Sequence, residues 1–523
     1  MSNAPGTRPQ VVAIGAYERD NFGDLLYLEL MRHHVGEAVE LAFVAPIGAD
    51  MSEAFGHAVP AAAPLLAQGG YEAIWTVGGE VGSATAEYAY RTAFGDEAFA
   101  QLMGMTHRER AAVLRRATEG PLPDSPYVTR TSSHGYPRAA LVLNSVGLAG
   151  VAQAKGVRRI VLESSLREAD FISVRDGGSR RVLSALRINH VLAPDLAHTL
   201  PYVRPLATVD PCYALVQLPE FAVTRHGLDA WVGAIASLTQ LSDLPLRLFL
   251  AGTAPGHDSV RTANRLRDAI ASATNQSVEV STARGVWPRV DEIAHSALWV
   301  GGSLHGRIVA AAYGVPRVSI HSWKVDQYAE TWDDEYPYGV APETLSAAVE
   351  FALAKRNHAD PEALASGALK SIQRATELVV GWNYPALDST RLDALLRTRV
   401  AEVTALQELA TSYEDEIGRI ARVDLREETV RLGDELRRLR DEIDRFREER
   451  DRWRTSHEEL REALATAQAE TERLRGDRDG WRAEAERLRE DRDRWRAEGE
   501  GLREDRERRR TSPDQMSDGD ISA

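Results

Sequence analysis

Residues 301–307, with the sequence Gly-Gly-Ser-Leu-His-Gly-Arg, combine residue types that could do chemistry on an anion. They follow the apolar run 297–300 and precede an apolar-periodic segment, which predicts a strand, a glycine turn and a helix start. Ser303 is placed to cap that helix, and His305 falls in its first turn. Free N–H groups at a helix N-terminus attract anions. Because a histidine and an arginine add a proton and a fixed charge, we expect a small anionic molecule to react here.

Other turns that follow predicted strands carry further candidate residues. They are Asn21, Gly23 and Asp24 after the run 11–14, Gly78 and Gly79 after 73–77, Arg175 and Asp176 after 171–174, Asp195 after 191–193, and Lys324 after 317–320. Ligands of open α/β sheets bind at the carboxyl ends of the strands, so these residues are candidates for one site. Asn21, Asp24 and Asp176 could instead act only as helix caps. A role in ligand binding is better supported for Arg175 than for these residues, since a guanidinium can bind carboxylate or phosphate with two hydrogen bonds.

Several kinds of site and setting are not supported by the sequence. It contains neither GxGxxG nor GxxxxGK[ST], and its carboxylates show no metal-ligand spacing, so we expect no metal site. The net charge of −15 argues against a nucleic-acid binder and against an anionic membrane surface. Cys212 is the single cysteine, which excludes a disulfide framework. Because no signal peptide or transmembrane run is present, we expect a cytoplasmic protein, with a peripheral position at the inner face of the membrane left open.

The first 400 residues alternate short aliphatic runs with amphipathic stretches, which predicts parallel βαβ units. Prolines at 201, 205 and 211 interrupt both periodicities. We therefore expect two Rossmann-like parallel-sheet α/β domains, over residues 1–205 and 206–398. The predicted strands are 11–14, 41–44, 73–77, 140–146, 171–174, 191–193, 213–218, 246–251, 297–300 and 317–320.

Residues 399–510 change character and predict a long α-helical coiled coil, followed by a disordered tail over 511–523. Twelve positions spaced by seven form one register: Leu425, Leu432, Leu439, Phe446, Trp453, Leu460, Ala467, Leu474, Trp481, Leu488, Trp495 and Leu502. The companion positions are poorer and include arginines. We expect the rod to make a homo-oligomer or to bind a partner protein, and a single solvated charged helix is the alternative.

In order and spacing, the turns at 21–24, 77–79, 173–179, 194–195, 303–306 and 314–316, together with Lys324, resemble the polysaccharide pyruvyl transferase family. The resemblance covers residues 10–335 and does not reach the rod. It implies a two-domain fold like that of the glycosyltransferase-B enzymes, with the site between the domains. Two positions depart from the family pattern: Ser303 stands where many relatives have arginine, and Glu80 where a third glycine is frequent.

The resemblance implies transfer of the enolpyruvyl carbons of phosphoenolpyruvate to a saccharide or lipid-linked saccharide, giving a pyruvate ketal in a cell-surface polysaccharide. No cofactor or metal is required. His305 would act as general acid and Asp24 as the base or hydroxyl-orienting group. The substrate-binding residues would be Asn21, Gly23, Gly78, Gly79, Arg175, Asp195, Ser303, Gly306, Arg307 and Lys324. Two alternatives stay open: a nucleotide-sugar glycosyltransferase, and a non-catalytic scaffold with a degenerate transferase domain.

Overall fold

A computed structural model describes residues 8–134, 139–206, 212–238, 244–255, 257–274, 276–355, 361–382, 389–421 and 426–511. Its strands are β1 (Gln10–Ile14), β2 (Glu40–Val44), β3 (Ala49–Asp50), β4 (Ala58–Val59), β5 (Ala73–Val77), β6 (Ala140–Val146), β7 (Phe171–Val174), β8 (Val191–Leu192), β9 (Ala214–Gln217), β10 (Leu246–Leu248), β11 (Val278–Val280), β12 (Leu298–Gly301) and β13 (Arg317–Ser319).

The helices are α1 (Phe22–Val35), α2 (Ser52–Phe55), α3 (Ala62–Gln68), α4 (Ala86–Met103), α5 (His107–Ala117), α6 (Gly156–Glu168), α7 (Gly177–Ala185), α8 (Leu200–Val203), α9 (Glu220–His226), α10 (Leu228–Ala236), α11 (Val260–Ala273), α12 (Val286–Ala294), α13 (Leu304–Ala312), α14 (Trp323–Trp332), α15 (Leu345–Ala354), α16 (Pro361–Val380), α17 (Ser389–Ala421) and α18 (Arg426–Thr511). Short 3-10 helices cover Thr131–His134, Ala149–Gln153, Leu196–Thr199 and Pro342–Thr344.

The strands form two parallel sheets, which confirms the predicted fold class. The first sheet has the order β2-β1-β5-β6-β7-β8, and the second has β11-β10-β9-β12-β13. Strands β3 and β4 pair separately and antiparallel. Every predicted strand run overlaps an observed strand, whereas β3, β4 and β11 were not predicted. Their sequences, Ala-Asp, Ala-Val and Val-Glu-Val, do not form the longer aliphatic runs that predicted the other strands.

Each sheet has one point at which the strand order reverses direction. In the first sheet this switch lies between β1 and β5, and in the second it lies between β9 and β12. The loops that leave neighbouring strands in opposite directions open a crevice at such a point, where ligands of α/β proteins bind. The β1, β5 and β12 ends carry the turns that the sequence singled out.

A shared apolar core joins the two sheets. The same buried cluster contains Val11 and Trp75 from the first sheet and Leu215 and Trp299 from the second. Helix α16 belongs to the predicted domain 206–398 but packs against β6, where Asn144 Nδ2 donates to Ser371 Oγ at 3.1 Å. The predicted boundary at residues 205 and 206 falls between the last strand of the first sheet and the first of the second, and stays a prediction.

The predicted rod is helical, and its first part packs against the α/β region. Leu406 of α17 and Leu439 of α18 are buried in one apolar cluster with Ile160 of α6. The ion pairs Arg399–Glu449 and Arg440–Glu414 join α17 and α18 as an antiparallel pair. The chain divides into two compact units, Met1–Arg450 and Asp451–Ala523. Pairing of the distal helix with another chain stays a prediction, and the predicted tail lies outside the described residues, apart from Thr511.

Candidate functional site

The switch points of both sheets border one cleft with a volume of about 970 Å³. Eight predicted site residues line it: Asn21, Asp24, Gly78, Gly79, Arg175, Ser303, His305 and Lys324. They come from five separate strand ends, which only the folded sheets bring together. Gly23, Asp195, Gly306 and Arg307 are not among its lining residues.

The start of α13 has the predicted cap but fewer free N–H groups than expected. Ser303 Oγ accepts from Gly306 N at 3.2 Å. The side-chain oxygen of Gln217, at the end of β9, accepts from Gly302 N at 2.8 Å and Ser303 N at 2.9 Å. These two donors are therefore unavailable to a ligand. Gln217 fixes the turn across the switch point, and its own amide donates to Asp258 Oδ1 at 2.7 Å. Burial raises the pKa of Asp258 to about 7.

His305 belongs to a hydrogen-bonded group centred on the Tyr27 hydroxyl. Tyr27 donates to Asp195 Oδ2 and accepts from Arg175 Nη1 at 2.9 Å. The Nε2 atom of His305 lies 3.1 Å from the same hydroxyl oxygen. Because the Tyr27 proton is directed to Asp195, the network assigns the His305 proton to Nε2. Desolvation, followed by the positive charges of Arg175 and Lys324, holds the pKa of His305 well below its usual value.

The first turn of α1 fits closely against His305. A Cβ atom placed on Gly23 would lie 1.7 Å from His305 Nδ1, so only glycine allows this contact. Asn21 caps the helix by accepting from Gly23 N at 3.2 Å. Asp24 Oδ2 accepts from Asn21 Nδ2 at 2.7 Å and from Arg19 Nη2 at 3.1 Å. The capping alternative for Asn21 is thus realised, and the residue also orients the Asp24 carboxylate in the cleft.

The turn after β5 brings backbone close to Tyr27. Gly78 and Gly79 have φ angles of 64° and 75°, in the left-handed region that favours glycine. A Cβ on Gly78 would lie 1.9 Å from the Tyr27 ring. Glu80, the departure from the family pattern, accepts from Gly150 N at 3.2 Å. Burial raises the pKa of Glu80 to about 7, although the Arg175 charge opposes that shift.

Lys324 is a cation of the cleft that is not paired with other described groups. It lies in the first turn of α14 and forms no hydrogen bond or ion pair with the part of the chain that the structure describes. Desolvation and the Arg175 guanidinium lower the pKa of its ammonium group. Arg175 is nearly fully buried, yet its Nη2 makes no hydrogen bond to a described residue. Both groups can therefore meet an incoming anion.

The structure places Arg307 away from the cleft. Its guanidinium is buried, lies 2.7 Å from the Asp333 carboxylate, and donates to Ser319 Oγ and to the carbonyl oxygen of Tyr336. Asp195 is also buried and orients Tyr27 and Arg175. Arg307 is thus committed to the fold, which leaves Arg175 and Lys324 as the predicted binding cations that line the cleft.

Sequence reasoning missed Tyr27 and Gln217. Tyr27 has the spacing of a core residue on an amphipathic helix, and no local signal distinguishes it. Gln217 had a usable signal, because it is a polar residue that directly ends a buried strand. Asp176 accepts from Ser179 N at 2.7 Å, so its capping alternative is realised.

The described residues contain neither a cluster of metal-binding side chains nor a membrane-spanning helix. No set of three or more His, Cys, Asp or Glu side chains in this part of the chain is arranged to hold a metal ion. Among the described helices, none has both the length and the apolar character needed to cross a bilayer.

One family model matches part of this chain, including three of the eight predicted residues that line the cleft. Residues 136–322 match the model of the polysaccharide pyruvyl transferase family. The predicted resemblance is confirmed over these residues, which include Arg175, Asp195 and His305. The match supports a transferase that modifies polysaccharides. The polysaccharide pyruvyl transferase match begins after the turns at Asn21 and Gly78 and ends before Lys324. A search of curated proteins finds no match.

Several solved structures show partial similarity to this chain. The UDP-GlcNAc 2-epimerase of Methanocaldococcus jannaschii is 12% identical, with a TM-score of 0.42, over 70% of this chain and 99% of that one. S. aureus MnaA bound to UDP is 10% identical, with a TM-score of 0.45, over 72% and 97%. An alpha-glucosyltransferase in complex with UDP is 10% identical, with a TM-score of 0.39, over 71% and 99%. Likenesses of this size carry no information on ligand or activity.

Proposed function

We propose that the cleft transfers the pyruvyl carbons of phosphoenolpyruvate to a saccharide acceptor and forms a pyruvate ketal. The observation that carries the proposal is the placement of His305, Arg175 and Lys324 on one cleft, within or beside the matched family region. This combination offers a titratable imidazole and two cations to a small anion. Phosphoenolpyruvate supplies a carboxylate and a phosphate for those cations.

Donor binding would rely on charges that the fold leaves available. Lys324 lacks a partner among the described residues, and Arg175 retains the Nη2 edge of its guanidinium. The first turns of α13 and α14 point toward the same cleft and favour negative charge there. Desolvation, followed by the charges of Arg175 and Lys324, lowers the pKa of His305, and an anion that binds these two residues cancels the contribution of their charges. Donor binding would therefore prepare the imidazole to be protonated.

The proposed reaction balances its protons within the site. His305 protonates the methylene carbon of the donor, and the resulting oxocarbenium-like carbon is attacked by a sugar hydroxyl. Asp24 accepts the proton of that hydroxyl, and proton exchange with solvent then returns Asp24 and His305 to their starting forms. A second hydroxyl of the same sugar then forms the other C–O bond of the ketal as the bond from carbon to phosphate oxygen breaks, and its proton leaves with phosphate. Arg19 and Asn21 both donate to Oδ2 of Asp24, so Oδ1 has no hydrogen-bond partner among the described residues and can face the hydroxyl.

The size and lining of the cleft suit a second, larger substrate. Ligand pockets measure roughly 300–1,000 Å³, so this cleft is at the upper end and can hold a donor and a sugar together. The rings of Tyr88, Phe221 and Trp323 line it and are 37%, 47% and 45% exposed. Exposed aromatic faces at a polar cleft can pack against the apolar face of a sugar ring.

The proposal is tested by phosphate release from phosphoenolpyruvate in the presence of glycan extracts. The wild type should release phosphate only with a suitable acceptor, and His305→Gln should lose that release. Lys324→Ala should raise the KM for phosphoenolpyruvate about 10- to 100-fold, since a charged hydrogen bond contributes about 1.5–3 kcal/mol. Lys355→Ala is the matched control, because Lys355 pairs with Glu335 and does not line the cleft.

The runner-up activity predicts a different response in the same assay. A nucleotide-sugar glycosyltransferase would consume a UDP-sugar with these acceptors and would leave phosphoenolpyruvate unchanged. UDP-sugar turnover alone would therefore reject the proposal. Thermal stabilisation by phosphoenolpyruvate and not by UDP-sugars provides a measurement that needs no acceptor.

A further inference from the structure

Helix α18 uses its apolar heptad positions differently in its two parts. Leu432, Leu439 and Phe446 of the main register are buried, as are Leu436 and Ile443 of the companion register. All but Leu432 belong to the apolar cluster with α17 and α6. Leu488, in the same main register, is 62% exposed. The apolar heptad positions before Arg450 are thus covered by other parts of the same chain. The packing of the apolar positions after Arg450 needs a different explanation.

The distal register has a charge pattern beside its apolar positions. With Leu474, Trp481, Leu488, Trp495 and Leu502 at heptad position d, each following e position is arginine: Arg475, Arg482, Arg489, Arg496 and Arg503. The g positions are all acidic over the same stretch: Glu470, Asp477, Glu484, Asp491 and Glu498. In a parallel pair of helices, a g residue faces the e residue five positions later on the other chain. Every one of these five contacts would join opposite charges.

We propose that the helix beyond Arg450 pairs with a second copy of this chain as a parallel, in-register dimer. The parallel arrangement is favoured because an antiparallel one would place g beside g and e beside e. Acidic side chains would then face acidic ones, and arginines would face arginines. The e and g charges of coiled coils set orientation and partner choice in this way.

The residues at heptad position a favour two helices over larger assemblies. Arg478 and Arg492 occupy this position and would meet their equivalents across the dimer. A long cationic side chain can leave a two-helix seam for solvent, whereas a core of three or four helices would enclose it. Asp477 and Asp491 of the second copy would lie beside these arginines. A polar a position weakens the pair and at the same time fixes its register.

A solvated single helix explains less of the same sequence. The distal arginines have acidic residues four positions later, such as Arg482 with Glu486 and Arg489 with Asp493. Within one helix, Arg482 and Arg489 can also pair with Asp479 and Glu486, three positions earlier. The helix-internal pairs Arg473–Glu470 and Arg487–Glu484 are exposed, so they compete weakly with contacts between chains. A single helix also gives no reason for Trp or Leu at every seventh position.

The first test measures the mass of the full-length chain by light scattering and reverses the charges. The wild type should have twice the 57.6 kDa mass of one chain. A variant with glutamate at all five e arginines should be monomeric, and so should a variant with arginine at all five g acids. Mixing the two should restore the dimer, since every g–e contact is then again of opposite charge. A monomeric wild type, a larger oligomer, or a mixture that stays monomeric would overturn the proposal.

The second test determines orientation and register by cross-linking. Ala485→Cys places a thiol at an a position, and Cys212→Ser removes the exposed native cysteine. A parallel, in-register dimer brings the two new thiols within disulfide distance, so mild oxidation should give a covalent dimer. Ala483→Cys, at the outer f position, is the control and should not cross-link. A dimer that stays uncross-linked at position 485 would contradict the parallel register.

Discussion

At the scale of single residues, the site depends on how closely Gly23 approaches His305. We predict that Gly23→Ala lowers turnover about 100-fold, because a Cβ atom 1.7 Å from His305 Nδ1 must displace the imidazole. Steady-state phosphate release measures this loss. Gly233→Ala is the matched control: Gly233 is exposed in α10 with no atom within 4 Å of an added Cβ, so activity should be unchanged. Equal activity of both variants would contradict the assigned role of this contact.

The protonation of His305 should be coupled to donor binding. In the empty cleft, desolvation and the charges of Arg175 and Lys324 keep its pKa low, and a bound anion would raise that pKa. Binding of phosphoenolpyruvate should therefore take up protons, and its affinity should fall as the pH rises through the pKa of His305 in the complex. Calorimetry in buffers of different ionisation enthalpy measures this uptake. The His305→Gln variant should lose the part of the proton uptake that is due to the imidazole. An uptake equal to that of the wild type would refute the coupling.

The sequence patterns predicted where the site lies better than they predicted which residues contact one another there. The turns at the ends of β1, β5, β7 and β12 meet at the cleft because the carboxyl ends of parallel strands share one edge. Arg307 was expected among the ligand-binding cations, but its charge is matched by Asp333, 26 positions further along the chain. A contact between distant positions leaves no local signal. The same reason explains why Tyr27 was overlooked.

At the scale of elements, a buried carboxylate attaches α17 to the α/β region. Glu402 accepts two hydrogen bonds from Arg130, at 2.8 and 3.1 Å, and one from Arg399 at 2.9 Å. Burial alone would raise the pKa of Glu402, but the two arginines lower it. Its ionised form therefore stabilises the fold above its unfolded-state pKa, and this contribution is lost as the pH falls through the lowered value.

We predict that Glu402→Gln lowers the free energy of unfolding at pH 7 by about 3–5 kcal/mol, because it leaves the buried Arg130 without its ion-pair partner and Arg399 with Glu449 alone. Chemical denaturation followed by circular dichroism measures the change. Glu408→Gln, at an exposed position of the same helix, is the control and should change stability little. An unfolding free energy equal to that of the wild type would show that the network does not hold α17 in place.

Hydrophobic periodicity predicted which segments form strands and helices, but it did not predict how these elements pack. The alternation of buried strands and amphipathic helices predicted both parallel sheets, and the seven-residue spacing predicted the helix α18. The spacing could not show that Leu439 and Ile443 pack on α17 and α6, since the same apolar pattern suits a partner in the same chain or in another. The charges at positions e and g distinguish the distal part of α18, because they favour a partner in a second chain.

At the scale of the whole molecule, the division of the chain after Arg450 predicts where it tolerates truncation. Removal of residues 451–523 should leave the melting temperature of the remaining unit unchanged. Removal of residues 399–523 should lower the free energy of unfolding of the remaining chain by about 3–5 kcal/mol or more. Arg130 then loses its partner Glu402, and the apolar face of α6 is exposed to solvent. Thermal unfolding of the two truncated chains compares these effects. Equal melting temperatures would contradict a structural role for α17.

The most direct test of the proposed activity follows the carbons of the donor. Phosphoenolpyruvate labelled with ¹³C at every carbon is incubated with glycan acceptors, and the acceptors are examined by mass spectrometry. The whole pyruvyl unit, with all its labelled carbons, should appear on the sugar in an amount equal to the phosphate released, and His305→Gln should abolish both. Release of phosphate with label remaining in free pyruvate, or modification of the sugar from a UDP-sugar without label, would contradict the proposed activity.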